Sequence, residues 1–487
     1  MVPRLTTALT GPLLDLERKF LDANTAIEQW FRAQWQEHTP PFYCSVDLRN
    51  AGFKLAPVDT NLFPGGFNNL NPAFLPLCVQ AAMTAIEKVC PDAKNLLLIP
   101  ESHTRNQFYL MNVARLATIL NRTGLGVRIG TLIPEITAPT PLELPDGSKL
   151  VLEPLKRLDG RLGLEGFDPC AILLNNDLSA GVPAILRDLH EQTVIPPLHA
   201  GWHVRRKSRH FAAYDRVAGD FAQAMGIDPW LINPDFAVCG RINFQEREGE
   251  ECLASNVDTV LTRVKAKYAQ YGVREEPFVI VKADAGTYGM GIMTVRDASE
   301  VQGLNRKQRN KMAVVKEGLE VTSVIIQEGV PTYEAINDAI AEPVVARRPC
   351  ATRCWPVTVS PTTTTAPAGS RPNSASTSSA PTGAPLAYAR TCSGPAAKLI
   401  SRALTFMISM ALGTLTAGIP GRCIAMIADA SSMVGVPASA ADACCCSQTS
   451  WMASGPPSST IIAAIPPRLT HFHSRLRPGV QYGGRCM

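Results

Sequence analysis

The stretch FVIVKADAGTYGMGIMTV, Phe278 to Val295, holds the clearest chemistry in the chain. An apolar run ends on Lys282, glycines follow at 286, 289 and 291, and a second β-type run closes the segment. Closely spaced glycines let backbone N–H groups turn toward a polyphosphate without side-chain collision, and a lysine on the preceding strand adds charge for its oxygens. Lys282, Gly286, Thr287, Tyr288, Gly289, Met290 and Gly291 would form such a clamp. The segment lacks the Gly-Lys-Ser/Thr of a phosphate loop that opens a helix, and the strand-to-helix setting of a dinucleotide fingerprint. Alone it also fits a glycine-rich hairpin. Further on, VIIQEGV offers an apolar strand ending in Gln327, Glu328, Gly329 and Val330. There, backbone groups and a carboxylate could take a base edge and ribose hydroxyls, unless these are ordinary strand-end residues.

Four earlier segments crowd polar groups more densely than loops require: DLRNAGFKLAPVDTNLFPGGFNNL from Asp47, PESHTRNQFYL from Pro100, NNDLS from Asn175 and GWHVRRKS from Gly201. A free amino acid with an acidic side chain carries two carboxylates and an ammonium, so its site needs Arg or amide donors beside Asp or Glu acceptors. Arg49, Asp59, Asn61, Asn68, Asn69, Glu101, Arg105, Asn106, Asn176 and Asp177 supply that mixture. Arg205 and Arg206 head a basic cluster with Lys207 and Arg209, suited to a substrate carboxylate or to phosphates. Each has a plainer reading as well: Asn and Asp hold turns through their own backbone, and a basic cluster is commonly a solvated face. His103 is open to a role as base or as structural histidine. No Ser-His-Asp or metal-histidine spacing is present.

These residues need a scaffold. Apolar Leu16, Phe20, Ile27, Trp30 and Phe31 recur near helical spacing and predict an opening amphipathic helix over Leu13 to Trp35. Beyond it, β-type runs from Phe42, Asn95, Gly126 and Ala171 alternate with helical stretches over Pro76 to Val89 and Asn106 to Asn121. That alternation predicts an α/β domain with a largely parallel sheet, which binds ligands in loops at the carboxyl ends of its strands. A second unit starts near Gly201, with helices over Ser208 to Met225 and Asn256 to Tyr271 and strands from Phe278 and Val321. The expected organisation is an N-terminal α/β amino-acid-binding domain over 1–200, a nucleotide-binding domain over 201–345, and a tail over 346–487.

Charge marks the last boundary. Of 47 Lys plus Arg and 42 Asp plus Glu, 12 and two respectively lie beyond Val345, so the net +5 belongs to the tail and the body is slightly acidic. The basic average is therefore no nucleic-acid or membrane footprint of the body. Eight of the 14 Cys are in the tail, and the other six are scattered without metal-ligand spacing. With Asp15, Glu17, Arg18 and Lys19 interrupting any leader-like run, they read as reduced thiols of a cytoplasmic protein. The tail carries tracts such as TTTT, STSSAPTGAP and CCC, a single Lys and no Glu. GC-rich DNA translated in a wrong frame yields such a break, which points to a frameshift close to Val345; a disordered native extension also fits its Pro/Ser/Thr part. The uncharged run from Ala403 to Pro420 reaches the minimum length for a membrane span, but its Thr, Ser and Gly content makes that a weak reading.

Lysine strand, glycine loop and Gln-Glu strand together resemble the ATP-grasp fold, in which ATP lies between two sheets. With APVDTNLFPGGFNNL, PESHTRN, NNDLS and KADAGTYGMGI, the chain over about residues 10 to 345 resembles the bacterial ATP-grasp-type glutamate-cysteine ligase family. The resemblance implies an α/β enzyme that uses ATP and Mg²⁺ to join L-glutamate and L-cysteine through a γ-glutamyl phosphate, the first step of glutathione synthesis. It implies Lys282 and the loop from Gly286 to Gly291 on the phosphates, Gln327 to Val330 on the adenosine, Arg105 as a second catalytic cation, and the polar clusters on the amino acids. Neither nucleic acid nor membrane is an implied partner. Competing readings are a glutathione-synthetase-like ligase and a non-catalytic nucleotide-binding remnant. The resemblance stops at the metal. ATP-grasp enzymes hold Mg²⁺ with acidic and Asn ligands on a strand after the hinge, whereas here only Asp429 and Asp442 follow Glu342, and no ligand is assigned.

Overall fold

The opening amphipathic stretch forms two consecutive helices, Pro12–Asp22 and Asn24–Glu37, with Ala23 between them. Leu13, Leu16, Phe20, Ile27 and Phe31 turn inward, and the rings of Phe20 and Phe31 meet Phe221 of the helix Lys207–Met225. The computed structural model describes residues 5–6, 11–347 and 357–361, apart from 39, 71, 159, 287–289, 315–317, 319, 334 and 337–338. All of them belong to the first of two units into which the chain divides, Met1–Pro420.

The fold is mixed α/β. Asn95–Pro100, Gly126–Thr131 and Ala171–Asn175 lie in one six-stranded sheet, flanked by Thr193–Ile195 on one side and by Lys149–Pro154 and Thr140–Glu143 on the other. Every pair is parallel except the last, Lys149–Pro154 with Thr140–Glu143. A parallel sheet is covered on both faces, which explains the unbroken apolar runs LLLI and AILL. Alternate residues serve different cores. Leu96, Leu98, Ala171 and Leu173 join the helices Leu75–Val89 and Gln107–Asn121, whereas Leu97, Ile99, Ile172 and Leu174 join a core shared with the two opening helices.

The run from Phe42 departs from expectation, because it does not enter this sheet. Cys44–Asn50 turns back into Leu55–Asn61 as an antiparallel hairpin, and its other edge pairs antiparallel with Ala339–Arg347. Val357–Pro361 pairs in turn with Ala339–Arg347. Strand periodicity shows which face a residue takes but not which distant strand lies alongside, so this partnership was invisible in the local pattern.

A third sheet is antiparallel throughout, in the order Phe236–Cys239, Val324–Glu328, Val279–Ala283, Ile292–Val295. Its register sets Lys282 opposite Ile325 and Ile280 opposite Gln327, so these four share one face. Val279, Val281, Val324 and Ile326 take the other face and share a core with Leu253, Val257, Val260 and Val264 of the helix Glu250–Tyr271. No helix among the described residues is long and apolar enough to cross a membrane. The run from Ala403 to Pro420 lies outside them.

Candidate active site

Lys282 links two sheets. Its Nζ donates to Gln327 Oε1 and to the Val58 carbonyl, each at 2.8 Å, the latter on the strand Leu55–Asn61. Burial pulls its pKa down to about 8; Lys207 adds to the fall and Asp59 opposes it. Asp59 accepts Lys207 Nζ at 2.6 and 2.7 Å. Burial pushes this carboxyl up, but Lys207 and Lys282 outweigh it and hold Asp59 at about 2. Arg205 completes the layer: it is buried, donates from Nη2 to Thr60 Oγ1 at 2.6 Å and lies 4.5 Å from the Trp202 ring. Burial lowers its pKa to about 10 against the pull of Asp59. Three cations thus converge on one carboxylate, leaving an excess of positive charge away from bulk water.

Unsatisfied polar atoms, most of them donors, gather at the same place. Among the described residues, Gln327 Nε2, Arg205 Nε and Nη1, both ring nitrogens of His210, Trp202 Nε1 and Ser179 Oγ are buried without a partner. Burial, reinforced by the charge of Arg205, holds His210 well below the usual histidine range, so its ring is neutral. Buried polar groups in folded proteins nearly always find partners, so orphaned donors beside surplus positive charge are chemically suited to an anionic, acceptor-rich ligand.

The strand Val279–Ala283 feeds the glycine loop. Gly286 and Gly291 have φ of 122° and 62°, conformations that favour glycine, and Ala283 N donates to Gly291 O at 2.9 Å to close the loop's base. Thr287, Tyr288 and Gly289 lie outside the described residues, while Met290 is exposed. Asp284 accepts Ser208 N at 2.7 Å and Ser208 Oγ at 2.8 Å. It thereby caps the helix Lys207–Met225, whose own N-cap residue, Arg206, supplies no side-chain cap. A cavity of about 360 Å³ lies over the loop's root, walled by Ala283, Ala285, Gly286, Trp202, His203 and Arg206. A second, of about 480 Å³, opens beyond the carboxyl ends of two adjacent parallel strands, walled by Glu101, His103, Asn176 and Leu178. Ser179, Ala180 and Gly181 line both cavities.

Residues 17–347 match the family model described as glutamate-cysteine ligase. The chain belongs to the glutamate-cysteine ligase family. It is similar to a crystal structure from Methylobacillus flagellatus KT, provisionally named γ-glutamylcysteine synthetase, at 56% identity and a TM-score of 0.73, covering 85% of this chain and 98% of that one. Fainter likenesses are to D-alanyl-alanine synthetase A of Vibrio cholerae (10% identity, 52% and 66% of the two chains, TM-score 0.26) and to a glutathione synthetase-like effector of Globodera pallida (11%, 72% and 79%, TM-score 0.33). Neither overlaps well enough to bear on the argument. Among curated proteins none matches the chain.

In this ligase-family chain, Asp59, Arg205, Lys282 and Gln327 share the charged layer. Gly286 and Arg206 line the loop cavity, and Glu101 and Asn176 the other. Asp177 stands behind them, its N–H donating to Glu101 Oε1 at 2.9 Å and its carboxylate accepting Ser179 N at 3.0 Å. Arg49 donates to the Val330 carbonyl at 3.3 Å, and Gly329 N donates to Phe278 O at 2.8 Å. Several predicted residues act locally instead. Asn61 bonds both backbone groups of Phe63, Asn68 donates to Asn69, and Asn106 caps the helix Gln107–Asn121 by accepting Tyr109 N at 3.1 Å. Arg105 is exposed and lines neither cavity.

The Glu328 side chain turns away from the charged layer. Its neighbour Gln327 faces Lys282, so strand alternation turns Glu328 to the opposite face. There its carboxylate accepts Lys54 Nζ at 2.9 Å, Asp235 N at 2.9 Å and Trp230 Nε1 at 3.2 Å. The carboxylate is thus fully engaged within the protein. Lys54 itself was missed, although a lone lysine inside the apolar run AGFKLAP is the signature of a buried, paired charge. Trp202, Ser179 and His210 carry no local signal that separates them from ordinary core or loop residues. Asn175, passed over for its neighbours, is a buried hub that donates to Pro64 O at 2.9 Å and accepts Asn112 Nδ2 at 3.2 Å.

Among the described residues the implied Mg²⁺ finds no ligand set. Among the described residues no group of three or more His, Cys, Asp and Glu could hold a metal ion. Asp59, Asp284 and Glu328 are committed to Lys207, Ser208 and Lys54 respectively.

Proposed function

We propose that residues up to about 345 are built as a cytoplasmic ATP-grasp ligase that phosphorylates the side-chain carboxylate of L-glutamate and joins it to the amine of L-cysteine. The observation that carries this reading is the buried Lys282, Arg205 and Lys207 layer around Asp59, with its unsatisfied donors. A carboxylate is a poor electrophile, so transfer of the γ-phosphoryl group of ATP must come first; cysteine's nitrogen then displaces phosphate from the acyl phosphate. Such chemistry needs positioning and charge neutralisation more than covalent work by side chains. Lys282 would neutralise phosphoryl oxygens in a site where burial magnifies its charge. The open edges of Arg205 would hold the glutamate carboxylate, and Gln327 Nε2 would donate to an acceptor of the nucleotide. Glu101 and Asn176 would orient an amino acid in the larger cavity, with the shared wall Ser179 to Gly181 bringing the two halves of the reaction together. The glycine loop would close over the acyl phosphate and keep water from it.

The chain as written is expected to have little or no turnover. Past the strand Val324–Glu328 a ligase of this kind takes its metal ligands, yet after Glu342 the sequence offers only Asp429 and Asp442, and the family match ends at residue 347. The test is ATP-, glutamate- and cysteine-dependent γ-glutamylcysteine formation by this chain, compared with a version whose reading frame is restored beyond codon 345. Normal turnover by the present chain would overturn the impairment. A restored version that phosphorylates γ-glutamylcysteine in preference to glutamate would overturn the substrate assignment.

A further inference from the structure

Four of the six body cysteines, scattered in sequence, meet in pairs in space: Cys90 with Cys170 and Cys239 with Cys252. Cys239 ends the edge strand Phe236–Cys239 and is buried, whereas Cys252 is exposed in the first turn of the helix Glu250–Tyr271. Their sulfurs lie 3.3 Å apart. Cys252 Sγ also accepts a hydrogen bond from Asn256 Nδ2 at 3.4 Å, one helical turn on, and the Cys239 thiol has a second acceptor, Arg241 O, at 3.6 Å. A disulfide requires sulfurs about 2.05 Å apart, so the pair is about 1.3 Å from bonding distance.

We infer that Cys252 and Cys239 form a thiol–disulfide exchange site, with Cys252 as attacking and Cys239 as resolving sulfur, whose co-substrate is a low-molecular-weight disulfide. The Cys252 thiolate attacks one sulfur of RSSR, the S–S bond breaks, and the departing RS⁻ takes up the proton that Cys252 lost. Cys239 then attacks the Cys252 sulfur of the mixed disulfide and expels the second RS⁻, which takes the Cys239 proton. The protein dithiol is oxidised by two electrons and RSSR is reduced to two RSH. Exposure selects the order: only Cys252 is open to an incoming disulfide. Burial, together with the hydrogen bond to Cys252, also pushes the Cys239 thiol up to about 11, a poor first nucleophile at neutral pH. The bond would fasten the helix Glu250–Tyr271 to the strand that pairs directly with Val324–Glu328.

The experiment treats the reduced, full-length chain with excess glutathione disulfide at neutral pH, blocks remaining thiols with iodoacetamide and maps peptides by mass spectrometry. The expected product is a dithiothreitol-sensitive Cys239–Cys252 cross-linked peptide. Cys239→Ser should stop at a stable glutathione adduct on Cys252, and Cys252→Ser, at an exposed position, should leave Cys239 as an unreacted thiol. The inference is overturned by a wild-type adduct that persists on Cys252 without cross-linking, by both residues emerging alkylated, or by oxidation confined to other cysteines such as the adjacent Cys90 and Cys170.

Discussion

If Lys282 meets phosphate oxygens as an ammonium, ATP affinity must follow its protonation. With a pKa of about 8, the charged fraction falls from roughly three-quarters at pH 7.5 to roughly a tenth at pH 9. Binding that needs the charged form should weaken about eightfold over that interval. An ordinary lysine, at 10.5, would stay charged throughout, as would the arginine of Lys282→Arg, so that variant should bind ATP with a flat pH profile. Lys282→Met should also be flat but weaker by about 2 kcal/mol or more, some 30-fold, because a buried charged contact is lost. Calorimetric titration of the chain with ATP alone, in buffers of different ionisation enthalpy, reads both the affinity and the proton taken up. Fold stability responds in the opposite sense. The folded value lies below the unfolded one, so the cost of burying this charge is fully present below about 8 and is relieved as pH rises toward 10.5. An ATP affinity unchanged between pH 7.5 and 9, or a wild-type decline matched by Lys282→Arg, would refute the role given to Lys282.

Lys54→Met should destabilise the chain by about 3–5 kcal/mol in urea unfolding, because it strands the buried carboxylate of Glu328. The double variant Lys54→Met/Glu328→Gln should recover part of that loss, and equal losses in single and double variants would show that the pair is not coupled. Gly329→Ala should cost about 1–3 kcal/mol through overpacking, since its Cβ would lie 2.2 Å from two ring carbons of Phe278. Trimming that ring with Phe278→Leu in the same chain should return most of the loss, and a Gly329→Ala variant with wild-type stability would refute the close approach.

What could be read from residue types was the chemistry that repeats itself locally. Glycines at 286, 289 and 291 after a strand lysine, and polar loops after the runs NLLLIP and AILLNN, declare themselves within a few residues. The structure joins the last two at adjacent carboxyl ends, as parallel pairing demands. What could not be read was partnership across long separations. The hairpin of Cys44 to Asn61 takes its strand neighbour from residues 339–347, and with it come Asp59 and the Val58 carbonyl, the groups that hold Lys207 and Lys282 in place. Nor does composition tell a satisfied polar group from a hungry one. Asn106, Asn61 and Glu328 look as suitable for a ligand as Arg205 and Gln327, yet the first three spend their polar atoms on the backbone or a buried lysine, while the last two keep donors idle in the interior. An idle buried donor costs stability, and under the proposed function the anionic substrate and nucleotide would offset that cost by satisfying the donors that lie beside the three cations.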